Sequence, residues 1–304
     1  MRTCPADEGW VEHTVLAGEE GRSVGDILAG PLGLTRDELR RLTRDRAIRR
    51  NGRPTSPGHR VRAGDVVSVL PGAGFDARVA PAPVPLSVLH EDSELLVLDK
   101  PPGLLAHPVV PGARDALVNG IAHHFQRQGL RARVHLVHRL DRDTSGVLVI
   151  AKTPDAHRRL DAQLRARTLR REYLAVASGE VPGAAGVVDA PIGRDPARPA
   201  LRVVRPDGQP ACTRYRVVER LSGATLLRLD LETGRTHQIR VHLAHLGHAV
   251  VGDAVYGAST EWIGRQALHA VRLSLVHPAA GQELSFEAPL PADMQRLLER
   301  LRGS

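Results

Sequence analysis

Pro71, Gly72, Gly74, Pro81, Pro83 and Pro85 crowd one short stretch of the chain, and a segment of that composition resists packing into a helix or a sheet. No other feature limits the fold as strongly, because the 304 residues must then form two units on either side of it. The expected boundaries are 12–72 for a first unit, 73–86 for a connector and 87–304 for a second unit.

Ahead of the connector, Ser23 can cap a helix carrying Val24, Ile27 and Leu28. Thr35 and Glu38 have capping-box spacing before Leu39 and Leu42. Asn51-Gly52 predicts a tight turn, and Ala63-Gly64-Asp65 leads into a strand from Val66 to Leu70. Two helices are therefore expected before a small sheet. From Arg36 to Arg53 stand eight arginines against Asp37, Glu38 and Asp45, a local charge of +5. A run of this kind is either a solvated helix face or a surface for a polyanion.

Beyond the connector, Leu95–Leu98, Gly146–Ile150, Tyr173–Val176 and Thr225–Leu229 are apolar, β-rich runs that predict strands. Asp115–Gln126 and Thr153–Leu164 carry helical spacing, the latter with Thr153 as cap and Pro154 first. The expected class is α+β, a mixed and mainly antiparallel sheet with helices beside it.

Composition removes several functions. The net charge is +8, yet lysine occurs only at Lys100 and Lys152, after Asp99 and Ala151, so the Gly-Lys-Ser/Thr step of a phosphate-binding P-loop is missing. Two Trp, three Tyr and three Phe are too few for a sheet that stacks successive RNA bases. Cys4 and Cys212 supply neither a disulfide framework nor a thiolate pair for zinc. No apolar run approaches a membrane span, and a cytoplasmic protein without membrane association is expected.

Two stretches concentrate chemistry. In His138-Arg139-Leu140-Asp141-Arg142-Asp143-Thr144-Ser145-Gly146, a polar loop between β-rich runs, Asp141 is either a presented carboxylate or a turn former, and Ser145 is expected to be a turn residue. The second is Gly234-Arg235-Thr236-His237-Gln238-Ile239-Arg240-Val241-His242. His242, His245 and His248 there invite a zinc set, but Gly247 should end the helix and no acid or thiolate completes it, so no metal is expected.

The two stretches together resemble the central motifs of the RluA-type pseudouridine synthases. The resemblance extends to Gly252-Asp253-Ala254-Val255-Tyr256-Gly257, to Leu98-Asp99-Lys100-Pro101-Pro102-Gly103 with His107-Pro108, and to Arg171-Glu172-Tyr173, in order from Val88 onward. Many relatives carry lysine where Arg171 stands, which keeps the charge. The first unit is similar to the small RNA-binding module named after ribosomal protein S-four, over about residues 20–70.

The resemblance implies isomerisation of a uridine within RNA. The glycosidic bond breaks, the uracil turns in the pocket, and it rejoins through carbon 5, with no cofactor. It implies Asp141 as the carboxylate that attacks the anomeric carbon or removes the 2′ proton, Arg240 as its ion-pair partner, and Tyr173 as the ring that packs on the uracil. Arg139 is implied at the phosphate of the flipped nucleotide, with His138, Arg235, His237 and Gln238 as further substrate contacts. Arg40, Arg41, Arg44 and Arg50 are the implied phosphate contacts of the first unit, which supply affinity more than sequence choice. A single carboxylate facing an arginine suits an isomerase, which must keep water from its intermediate, better than the carboxylate pair of a glycoside hydrolase. The implied target is large-subunit ribosomal RNA acted on by a monomer. Transfer RNA, or a non-catalytic role in ribosome assembly, is the alternative.

Overall fold

The computed structural model describes residues 11–30, 34, 36–44, 47–69, 79–107, 114–130, 133–198, 201–259 and 261–303, without the side chains of 11, 36–38 and 41. The chain divides into two compact units: Met1–Ala80 with Phe125–Arg133, and Pro81–His124 with Val134–Ser304.

In the first unit, β1 (Val11–Thr14) is followed by α1 (Val24–Ala29), α2 (Arg36–Arg44), β2 (Ile48–Arg50), β3 (Arg53–Pro54) and β4 (Val66–Val69). The strands form one sheet in the order β1-β4-β2-β3. A strand thus precedes the two helices, against expectation; Val-Glu-His-Thr is too short and polar to announce itself, and β1 exists by pairing with β4. Ser23 caps α1 as expected, its hydroxyl accepting the Asp26 N–H at 3.1 Å while the Asp26 carboxylate accepts the Ser23 N–H at 3.1 Å. Val24, Ile27 and Leu28 pack with Leu42, Ile48, Val67 and Val69. Asn51 adopts a left-handed backbone with φ 51° and turns β2 into β3. The proposed Thr35–Glu38 cap lies outside the described residues.

The second unit holds β5 (Ser87–Glu91), β6 (Leu95–Lys100), α3 (Leu117–Arg127), β7 (His135–Leu136), β8 (Ser145–Ala151), α4 (Pro154–Ala166), β9 (Arg170–Ser178), β10 (Ala185–Asp189), β11 (Ile192–Arg194), β12 (Arg202–Val204), β13 (Cys212–Leu221), β14 (Ala224–Leu231), α5 (Gln238–His245), β15 (Leu268–Val276), β16 (Glu283–Glu287) and α6 (Ala292–Arg302). One sheet runs β10-β13-β14-β9-β15-β8-β6-β5, with β16 on β15 and β7 on β8, and β11 and β12 form a separate hairpin. Among the described pairings only β8 with β15 is parallel, so the class is the expected α+β. From Pro81 the proline-rich segment packs on this unit, the Ala82 N–H donating to Asn119 O at 3.1 Å. Residues 73–78 of the expected connector lie outside the described residues.

β8 is buried along its whole length, which is why its sequence is an unbroken apolar run rather than an alternation. Val147 and Val149 join Leu95, Val97, Leu273 and Leu275 under Ala156 and Leu160 of α4. α4 starts where expected: the Thr153 hydroxyl accepts the Ala156 N–H at 3.1 Å, and Pro154 costs nothing at the first position. Ser145, expected in a turn, is instead the buried first residue of β8, because its backbone pairs with His269 of β15.

Next to it Gly146 has φ 114°, and a Cβ there would lie 2.1 Å from Ala270 O. No side chain fits without parting β8 from β15. Gly146→Ala should therefore cost about 2–5 kcal/mol, from left-handed strain plus overpacking. A urea titration would show this as a lowered midpoint.

Candidate active site

The loop from His138 to Thr144 connects β7 to β8. Four successive residues of its exit are held by side chains from distant parts of the chain. The Lys100 Nζ donates to Arg142 O at 2.8 Å, and also to Pro101 O at 2.8 Å and Leu104 O at 3.0 Å. Arg265 Nη1 donates to Asp143 O at 3.0 Å, while its other nitrogens bind Asp293 of α6 at 2.6 and 2.9 Å. The Gln266 amide donates to the Thr144 hydroxyl at 3.3 Å, and Ser145 Oγ meets His269 Nδ1 at 2.9 Å. Lys100 is wholly buried, and burial pushes its ammonium down to about 8.

That bracing presents Asp141 to Arg240, the third residue of α5. Arg240 Nη1 donates to Asp141 Oδ2 at 3.1 Å, and its Nε and Nη2 grip Asp253 Oδ2 and Oδ1 at 2.6 and 2.9 Å. Burial works against the guanidinium charge, but the Asp253 hydrogen bonds and charge, followed by the charge of Asp141, outweigh it and raise its pKa. A second carboxylate, Asp253, thus shares the guanidinium with Asp141. They are not equivalent: Asp253 is 1% exposed and both its oxygens are engaged, whereas Asp141 is 25% exposed. Of the two, only Asp141 is open to the cleft. Asp253 is carried on a turn entered through Gly252, where φ is 80° and a Cβ would lie 2.0 Å from Arg265 O.

Asp141 and Arg240 line a cleft of about 950 Å³ together with His138, Arg139, Arg171, Tyr173, Arg235 and His237. Tyr173 sits on β9 opposite Leu229 and Ala270, and burial raises its hydroxyl pKa, with the Asp141 charge adding to that and the Arg171 charge opposing it. Arg139 is exposed beside Asp141, and Arg235 is exposed with its Nε bonded to Pro210 O at 3.1 Å. His138 is nearly buried, its Nε2 accepting the Val149 N–H at 3.4 Å.

The Gln238 carbonyl accepts from the Thr233 hydroxyl at 2.8 Å and the Arg235 N–H at 2.9 Å, and its amide donates to Cys212 O and Thr213 Oγ1 at 3.0 Å each. With every amide position used inside the chain, it shapes the 233–235 turn at the wall of the cleft. His242 is likewise internal, bonded to Thr213 Oγ1 and Ala190 O, while His248 lies past the end of α5 on Ser178 O. The three histidines do not converge.

Of the expected phosphate contacts, Arg40 and Arg44 are exposed on α2, and Arg50 donates to Arg60 O at 2.7 Å with Asp65 at 3.8 Å. The side chain of Arg41 lies outside the described residues. Asp253, Tyr256, Arg265 and His269 were not singled out from the sequence. Asp253 and Tyr256 stand inside a motif quoted above, but only the fold shows that they face Arg240.

A family model described as RNA pseudouridylate synthase matches residues 94–245. The chain is 40% identical to the ribosomal large subunit pseudouridine synthase D of Escherichia coli K12 over 88% of this chain and 87% of that protein. The Yersinia pestis protein of the same name is also 40% identical, over 98% of this chain and 96% of its own. Among solved structures, human RNA pseudouridylate synthase domain containing 4 superposes with a TM-score of 0.58 at 29% identity, covering 71% of this chain and 92% of that one.

Burial, assisted by the Arg171 charge, pushes the His138 imidazole from its ordinary 6.5 down to about 3. The unfolded chain therefore binds this proton at a pH where the fold does not, so stability from this group is complete above pH 6.5 and is lost as pH falls toward 3. His138→Gln should flatten the acid limb of stability across that window, measured by urea unfolding at stepped pH.

Proposed function

The chain belongs to the RNA pseudouridylate synthase family and isomerises uridine in RNA; we propose that its target is large-subunit ribosomal RNA and that Asp141 is the carboxylate that opens the glycosidic bond. The observation that carries the second half is the division of labour around Arg240, which leaves Asp141 oriented and open to the cleft while Asp253 is sealed. A sealed second carboxylate cannot activate water, which fits isomerisation and not hydrolysis. The ribosomal target rests on the names of the bacterial relatives.

In this assignment Tyr173 packs on the flipped uracil and Arg139 occupies the space and phosphate left behind, offsetting the few kcal/mol that unstacking costs. His138, Arg171, Arg235 and His237 complete the wall around the nucleotide. Residues 12–72 act as an S-four-like RNA-binding module, 73–86 as a linker and 87–304 as the catalytic domain. The exposed Arg40 and Arg44, with Arg50, serve phosphates through that module. The protein is taken to work as a monomer in the cytoplasm, where two cysteines without a disulfide framework are the ordinary case.

Asp141→Asn should abolish tritium release from RNA labelled at uridine carbon 5, and a normally active variant would disprove the carboxylate assignment. Chemical mapping of pseudouridine in RNA from a strain lacking the protein should show the missing site in large-subunit ribosomal RNA; a site in transfer RNA instead would refute the target. Arg44→Ala should weaken RNA binding and reduce the slope of log affinity against log salt by about one phosphate contact, with turnover of bound RNA intact.

A further inference from the structure

His237 immediately precedes α5, three positions before Arg240, and its backbone is left-handed at φ 58° and ψ 20°. A non-glycine residue holds that conformation only where its surroundings over-determine it. Tyr256 does so here. Its hydroxyl lies 2.9 Å from His237 Nδ1, and the two rings meet edge to face with centroids 5.8 Å apart. The same tyrosine ring lies 5.0 Å from the Arg240 guanidinium carbon, and the tyrosine is itself fixed by Asp253 Oδ1, which accepts the N–H groups of Val255 and Tyr256 at 3.2 and 3.3 Å.

The hydrogen bonds around Tyr256 assign the protons on the imidazole. The Arg202 backbone N–H donates to the Tyr256 oxygen at 3.2 Å, so the hydroxyl hydrogen finds its partner in His237 Nδ1. Nδ1 is then an acceptor, and the neutral ring carries its hydrogen on Nε2. Burial lowers the imidazole pKa, opposed by the charges of Asp141 and Asp253 and assisted by those of Arg240 and Arg202, and so keeps the ring neutral at neutral pH. No described residue accepts the Nε2 hydrogen, and His237 lines the cleft together with Asp141.

We propose that His237 donates its Nε2 hydrogen to a carbonyl oxygen of the target uracil and stabilises the charge that the base acquires as its glycosidic bond breaks. The electron pair of the C1′–N1 bond departs with N1 and spreads onto O2 and O4. C1′ regains a pair either from an Asp141 oxygen or from the C2′–H bond whose proton Asp141 takes. The imidazole transfers no proton; it supplies a fixed dipole where negative charge develops. Tyr256 is a positioning residue that selects the tautomer.

The proposal rests on Asp141 as the group that opens the bond. RNA from a strain lacking the protein contains whichever uridine is modified, and it serves as substrate for the full chain. His237→Leu should lower kcat for pseudouridine formation about 10²–10³-fold with little change in KM. His237→Gln returns an N–H near the Nε2 position, so it should recover most of that loss. Tyr256→Phe should fall between the two, since its ring stays beside Arg240 while Nδ1 loses its partner. Equal impairment of the Leu and Gln variants, or a loss confined to KM, would mean that His237 only packs and would overturn the proposal alone. An active Asp141→Asn in the same assay would overturn the carboxylate assignment and this proposal with it.

Discussion

A buried guanidinium shared between two carboxylates governs the second unit. Removing an arginine from water costs several kcal/mol unless it is paired and hydrogen-bonded. Asp253 meets most of that demand with two hydrogen bonds, and the remaining Nη1 reaches Asp141. A lone carboxylate would have to neutralise the cation and react as well. With a sealed partner to do the first, Asp141 keeps an open side and a fixed orientation, and the pair of acids leaves the cluster negative beside the cleft.

Orientation of Asp141 depends equally on its backbone. Two cations, Lys100 and Arg265, seize consecutive carbonyls at Arg142 and Asp143, and Gln266 and His269 hold the side chains of Thr144 and Ser145. A loop that would otherwise fluctuate is thereby tied to the sheet at four successive positions. Catalysis by positioning requires reacting atoms held to within a fraction of an ångström, and this is how a loop residue achieves it.

What the sequence reveals divides along a physical line. Strands such as Leu95–Leu98 and Gly146–Ile150, the Thr153 cap and the Asn51-Gly52 turn are legible because the information lies within a few residues. The ordered motifs also single out Asp141, Tyr173 and Arg240, which the fold brings to one cleft. What depends on pairing across long separations is not legible. β1 is invisible without β4, Ser145 looks like a turn residue without β15, and the four hydrogen bonds that tie Gln238 into the chain are not announced by its motif. Asp253 lies only 13 positions from Arg240, yet nothing in that spacing says that the two side chains meet.

The bracing of the loop also sets an order of events during synthesis. Arg265 lies 122 positions beyond Asp143, and it is itself oriented by Asp293, a further 28 along. Contacts of such separation form late, since the intervening chain must first be made and closed. Until the segment carrying Asp293 has docked, Arg265 lacks the partner that orients it against the Asp143 carbonyl, and the loop that bears Asp141 is one tie short.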